Sequence, residues 1–500
     1  MSLSSDWKPF RERRTMSLAE ESRPLLGTAP RSLWRTLSQD SPYFIAIADR
    51  PIMETGNSKG EAQWTEAARQ SSVVTIFAVW NTMMGTSLLA MPWGIERAGL
   101  LMGPLLTIFV GALCLYTAYC NLRAHRQFGT ASGDVSELTR TLLGPVSEII
   151  AKTFSLIVLM GANIVYWILM TNFLFHSINY LNDMMLDLSV ESHTNNSSSS
   201  LSGVFCPLKN PVENVTVQST NLFQQIWNIE MTVPIFLAVL IFPLLNFKSP
   251  TFFTKFNSLG TMSVMYLILF VLVKSGMWGV NLSLDPKSFH FSPLIVSSFP
   301  ATSGMLALSF FIHNIIITIM RSNAEQKNNG RDLTIAYGLV TMTYLLIGAV
   351  FYIAFPLEKS CIRDNFLNNF ASWDLMTVIA RVFLLFQLVT VFPLISFMLR
   401  SQTMVAITGN PFPSRLYVLI FNIAIVAICI IFAIFLPKIG TIIRFTGALS
   451  GLVHVFTIPC MLRLASLYKN DKISIGSWIL YLSIPIFGGV NLLGQFFVTD

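Results

Sequence analysis

From about residue 72 onward, apolar residues run in long blocks, each followed by a short polar stretch. A helix crossing hydrocarbon needs roughly 20 such residues, because no water is present to satisfy its backbone. Eleven blocks fit that description: 72–96, 102–124, 147–180, 231–246, 253–279, 302–320, 333–355, 373–399, 416–437, 440–462 and 475–498. The fourth is short and the third is long enough to leave the bilayer. The pattern predicts an all-α polytopic membrane protein with eleven transmembrane helices. It divides the chain into a disordered N-terminal tail, 1–71, and a membrane domain, 72–500, with a long loop at 181–230.

Composition agrees. The 500 residues are 53% hydrophobic and 12% charged, against about a quarter charged in soluble domains. The net charge of +7 does not point to nucleic acid, because the Lys and Arg residues are scattered through short loops. They act instead as topology signals. With the N-terminus in the cytosol, the cytosolic connections carry Arg123, Arg126, Arg140, Lys248, Lys255, Arg321, Lys327, Arg331, Arg400, Arg415, Arg463, Lys469 and Lys472. The opposite side carries Arg97, Lys209, Lys287, Lys359, Arg363 and Lys438. The excess predicts an N-in orientation and, with eleven spans, a lumenal C-terminus. No cleavable signal precedes residue 72, so the first span is expected to direct insertion.

The glycosylation sequons at Asn195, Asn196, Asn214 and Asn281 all fall in predicted lumenal loops. So do Cys206 and Cys361, where an oxidising compartment permits a bridge. A disulfide between them is expected, two free thiols being the alternative. Cys114, Cys120, Cys429 and Cys460 lie in apolar spans and read as buried thiols. Arg381 and Arg444, near span ends, are expected to snorkel to the interface. No metalloprotease, phosphate-loop, nucleophile-elbow or paired-cysteine motif is present, so an enzyme is not expected.

The first span carries the most chemistry. Asn81, Thr82, Met83, Met84, Gly85, Thr86 and Ser87 place small and polar residues at its middle, and Pro92 follows. Gly lets the backbone leave helical geometry there. A broken helix at the midplane offers N–H groups to a carboxylate and carbonyls to a cation or ammonium group. A plain helix-packing seam is the alternative. Inverted-repeat transporters break the matching helix of the second half, here 302–320, where Ser309, His313 and Asn314 are polar. His313 reads either as a packing histidine or as a pathway or proton-coupling group. In span eight, Thr390 and the carbonyl released by Pro393 are hard oxygen ligands suited to an alkali cation. Thr390 capping its own helix is the alternative.

In the tail, Glu21 stands four positions before Leu25 and Leu26, a spacing that resembles an adaptor-read dileucine sorting signal. The run Tyr43, Phe44, Ile45, Ala46, Ile47 is apolar within a polar tail and reads as a partner-binding segment.

Over Asn81–Leu89, Trp80–Gly94, Gly161–Phe175, Pro243–Phe256, Phe310–Ile317, Cys361–Phe370 and Phe383–Pro393 the chain resembles the sodium-coupled neutral amino acid transporters. These form part of the amino acid/auxin permease branch of the amino acid–polyamine–organocation superfamily. Within that family it is most similar to a lysosomal arginine-sensing member. The resemblance implies a five-plus-five inverted repeat with broken helices one and six. It implies that the backbone from Thr82 to Thr86 holds the substrate, and that Asn81 and Thr390 match sodium-site positions. It also implies a Cys206–Cys361 bridge and a tail that engages Ragulator and the Rag GTPases in TORC1 growth signalling. The expected function is lysosomal amino acid efflux (arginine or neutral amino acids), with a low-flux receptor as the alternative and the plasma membrane as the alternative location. No acidic residue sits at either expected break, so arginine is implied by the resemblance alone. No cofactor is expected beyond a coupling or structural Na+.

Overall fold

A computed structural model describes residues 70–130, 134–185, 203–206, 223, 226–246 and 258–498. The sorting residues Glu21, Leu25 and Leu26, the segment from Tyr43 to Ile47, and Asn195, Asn196 and Asn214 lie outside the described residues.

The chain opens with α1, Ser72–Met83, capped by the Ser71 hydroxyl, which accepts the Val74 N–H. The helix stops at Met84 and Gly85, resumes as a 3-10 turn at Thr86–Ala90, and continues as α2, Met91–Ala98. The two parts are bent by 56°. Then come α3 Met102–Phe128, α4 Val135–Leu143 and α5 Pro145–Met185. The short α4 has no counterpart among the expected spans. Asp134 starts it by accepting the Glu137 N–H at 2.8 Å, as N-cap residues do. Next are α6 Thr232–Leu245 and α7 Ser258–Trp278.

The expected sixth span is not one helix. It is α8, Phe299–Ser309, and α9, Ile316–Arg321, with non-helical backbone between them. Then α10 Asn329–Leu345 leads through a π-segment, Leu346–Val350, into α11 Phe351–Ala354. The remaining helices are α12 Leu375–Thr408, α13 Arg415–Phe435, α14 Ile439–Ser450, α15 Ile458–Lys469 and α16 Ile475–Gly494. A second π-segment, Gly451–Thr457, joins α14 to α15. Among the described residues, eight helical stretches are long and apolar enough to cross a membrane, or nine with the bent pair counted as one.

Two seams organise the bundle. Along the first, α12 lies on α5, with buried Trp167 against Phe392 at 5.4 Å and Ser396 donating to Asn163 Oδ1 at 2.6 Å. Along the second, α8 and α14 touch backbone to backbone. A Cβ at Gly447 would meet the Gly304 carbonyl at 2.2 Å, and one at Gly304 would meet the Arg444 carbonyl at 2.7 Å. Small residues permit that approach.

One end of the bundle is covered by a cross-linked loop. Cys206 and Cys361 are bonded, with S–S 2.02 Å. Lys359 donates to the Tyr352 and Phe355 carbonyls, closing the end of α11, and burial pulls its pKa down to about 8. Lys274 and Asp374 pair at 2.6 Å, and Asp374 also caps α12 through the Thr377 N–H. The snorkelling expected of Arg381 and Arg444 does not occur: they are 1% and 3% exposed. Loop and terminal carbonyls reach in to them instead. Arg381 donates to Leu367 O at 2.8 Å and Arg444 to Gln495 O at 2.6 Å. The Asn281 amide nitrogen donates to the Trp278 and Ala354 carbonyls.

In the same loop Asp364 accepts the Gly440 N–H at 2.9 Å and so fastens the loop to the start of α14. Burial raises its pKa above the ordinary carboxylate range, against the lowering effect of the Gly440 and Asn365 N–H groups. An acid raised in the folded state contributes most where it is protonated in both states, below about pH 4. That contribution declines as pH rises through the raised folded value. Asp364→Asn should therefore remove a part of the stability that grows on acidification. Melting of both proteins from neutral pH down to about pH 4 tests this: the wild type should gain on the variant as pH falls, and a constant difference would refute it.

Candidate functional site

The break in the first span is built by two residues. Met84 leaves helical geometry (φ −75°, ψ 81°) and Gly85 is fully extended (φ −115°, ψ −158°). The 3-10 turn begins when the Leu88 N–H reaches the Gly85 carbonyl at 3.3 Å. The N–H groups of Thr86 and Ser87 precede that bond, so they have no acceptor inside the turn. Two donors at a helix start form an anion site in an apolar setting.

A cavity opens on this break. It is lined by Met84, Gly85 and Thr86, by Tyr166 and Phe173 of α5, by Val264 and Leu267 of α7, and by Leu384, Gln387, Leu388 and Val391 of α12. A Cβ at Gly85 would stand 3.8 Å from the Tyr166 hydroxyl, so the two face each other. Gln387 Oε1 is buried with no donor among the described residues. The cavity thus has donors on the broken helix and an acceptor on α12, which is the polarity an amino acid zwitterion requires. Its volume is about 20 Å³, against roughly 300–1,000 Å³ for open ligand pockets. As it stands the cavity is too small to hold an amino acid.

The expected site residues divide. Met84, Gly85 and Thr86 line the cavity, whereas Met83 lies just behind, giving its carbonyl to the Tyr344 hydroxyl at 2.8 Å. Thr82 bonds back to Ala78 O at 2.7 Å. Ser309 and His313 are not among the lining residues. Ser309 bonds back to Met305 O, and His313 Nε2 sits between Thr117 Oγ1 at 2.9 Å and Cys114 O at 3.1 Å. Asn81 and Thr390 are held by different partners. Asn81 Oδ1 accepts from Thr261 at 3.0 Å, while Thr390 bonds to carbonyls of its own helix, Phe386 and Gln387.

Tyr166 and Gln387 are the contributions that motif reading misses. Each has a signal: Tyr166 is a phenol and Gln387 an amide at mid-helix in apolar runs. Neither shows, without the fold, that it faces the break. Gln387→Leu removes the acceptor while preserving volume. It should weaken amino acid binding about tenfold, the lower end of the range for a hydrogen bond to a charged group, with little change in melting temperature. Binding measured by isothermal titration should show that loss; unchanged affinity would remove Gln387 from the site.

Residues 68–499 match the family described as transmembrane amino acid transporter protein. The sodium-coupled neutral amino acid transporter 9 homolog of Caenorhabditis elegans is 41% identical over 456 residues, 86% of this chain and 74% of that protein. Neutral amino acid transporter 9 of Xenopus laevis is 42% identical over 86% of this chain and 80% of its own length. The Rattus norvegicus protein of that name is 41% identical, over 87% of this chain and 81% of its own length. The match spans every helix of the bundle, and the chain belongs to the transmembrane amino acid transporter family, whose members are transporters and not enzymes.

Proposed function

We propose that this amino acid transporter is a secondary transporter of the lysosomal membrane that moves amino acids out of the lumen. The observation that carries the reading is the broken first helix, where Thr86 and the unpartnered Gln387 Oε1 line one cavity and offer a donor and an acceptor to a zwitterion. Eleven spans are proposed in a five-plus-five inverted repeat. The bent pair α1–α2 and the pair α8–α9 are then spans one and six, and the short α6 is span four. The N-terminus is cytosolic and the C-terminus lumenal, as the loop charges favour. Neutral amino acids are the substrates in the relatives' names. Arginine belongs to the proposal through the sequence resemblance. Sodium is a candidate coupling ion, with Asn81 and Thr390 its proposed ligands.

A second reading, a receptor with little flux, is favoured by one observation. Gln70, where the tail meets the first span, exchanges backbone bonds with the loop after α9. Its N–H reaches Ser322 O at 2.7 Å, and the Ala324 N–H reaches its carbonyl at 2.8 Å. A movement at the second break would therefore be felt at the base of the tail, through which Ragulator and Rag GTPases are the proposed partners. Sorting adaptors are the proposed readers of the dileucine segment.

Uptake of labelled amino acids into proteoliposomes, with and without sodium and a pH gradient, tests the two readings. The transport reading predicts saturable flux that Gln387→Leu reduces. Saturable binding without flux in any gradient would favour the receptor.

A further inference from the structure

One side chain touches both helix breaks. The Tyr344 hydroxyl lies 2.8 Å from the Met83 carbonyl, the last of α1, and 2.8 Å from the Ser309 carbonyl, the last of α8. Tyr344 is 1% exposed, and the Ser87 side chain also hydrogen-bonds to it. A phenol has one proton. It can donate fully to only one carbonyl, and the other oxygen then faces a lone pair at contact distance. The two carbonyls are not equivalent. Met83 O already accepts the Gly85 N–H at 2.9 Å, whereas Ser309 O has no backbone donor among the described residues.

The rest of α10 supports the same junction. Tyr337, two turns earlier on the same face, donates to Phe310 O at 3.2 Å and stacks on the Phe310 ring. Thr343 accepts the Trp80 indole N–H at 3.2 Å. The π-segment that follows Leu345 packs on α2, where a Cβ at Gly348 would meet the Met91 carbonyl at 3.2 Å. One helix therefore contacts both sides of the first break and one side of the second.

We propose that Tyr344 is a positioning residue that sets the separation of the two breaks, its O–H turning between Met83 O and Ser309 O as the broken helices move. The proposal rests on the transport reading. When α1 or α8 shifts, the carbonyl that departs gives up the hydroxyl and the other accepts it, so no buried acceptor is abandoned during the movement. Without the hydroxyl, one orphaned carbonyl must be exposed in apolar surroundings to reach the other state. That cost falls on the movement more than on substrate binding.

Tyr344→Phe keeps the ring and removes the hydroxyl. Maximal flux should drop about tenfold, as for a buried acceptor left without its donor, while KM stays within about threefold. Tyr337→Phe, which loses a bond to one break only, should lower the melting temperature without that split. Wild-type flux in Tyr344→Phe, or the same split in Tyr337→Phe, would overturn the proposal. If Tyr344→Phe does not fold, 3-fluorotyrosine at position 344 keeps the hydroxyl and alters its donor strength. Maximal flux should then change at constant KM, and unchanged flux would overturn the proposal. Absence of flux in the wild type would end the transport reading separately. Spin labels on α1 and α9 then decide: an amino-acid-induced distance change should occur in the wild type and be lost in Tyr344→Phe, and its persistence would overturn the proposal.

Discussion

The structure depends on one constraint: a backbone polar group inside hydrocarbon must find a partner within the protein. A continuous helix meets it automatically. In this chain non-helical backbone separates α1 from α2 and α8 from α9, so groups that a helix would have paired must be paired by something else or by a ligand. At the first break the carbonyls of Trp80, Met83 and Gly85 accept local N–H groups. The Thr86 and Ser87 N–H groups have no acceptor inside the turn, and Thr86 lines a cavity. The proposed substrate site is the part of the break whose N–H groups find no acceptor inside the turn.

The same constraint explains polar residues elsewhere in an apolar bundle. Arg400 donates to Leu245 O, at the end of α6, and to Asn422 of α13. Arg381, Arg444 and Lys359 likewise serve carbonyls at helix ends or loops. Each long cation reaches several acceptors from one position, which makes Lys and Arg effective closers of irregular backbone. Along the α5–α12 seam an aromatic pair and one Ser–Asn hydrogen bond join the helices, and along the α8–α14 seam glycines do. The helices are thus cheap to pack and their interruptions are specified by polar side chains.

Much of this was legible in the sequence. The blocks at 102–124, 416–437 and 475–498 are helices close to the expected bounds, because hydropathy over about 20 residues is a direct reading of the solvent. Asn81 to Ser87 announced the first break, since Gly beside small polar residues both permits and stabilises irregular backbone. Cys206 and Cys361 were the two cysteines outside apolar blocks, and they are bonded. What was not legible depends on partners distant in sequence. Tyr344 looks like one more aromatic in an apolar run, and only the packing of α10 on α1 brings it to the two carbonyls. His313 reads in the sequence either as a packing histidine or as a pathway group, and its bond to Thr117, like that of Ser309 to Met305, ties it to helix side chains and backbone away from the cavity lining. Arg381 looked like an interfacial residue because the loop that covers it carries no apolar signal.

The central claim is that an amino acid occupies the cavity at the first helix break. The most direct measurement is alkylation of a Thr86→Cys variant in membranes, followed by mass spectrometry of the peptide that contains it. If the claim holds, the amino acid that the protein binds will slow alkylation in proportion to its occupancy, and an amino acid that does not bind will leave the rate unchanged. A rate indifferent to a saturating bound amino acid would contradict the claim and place the substrate elsewhere in the bundle.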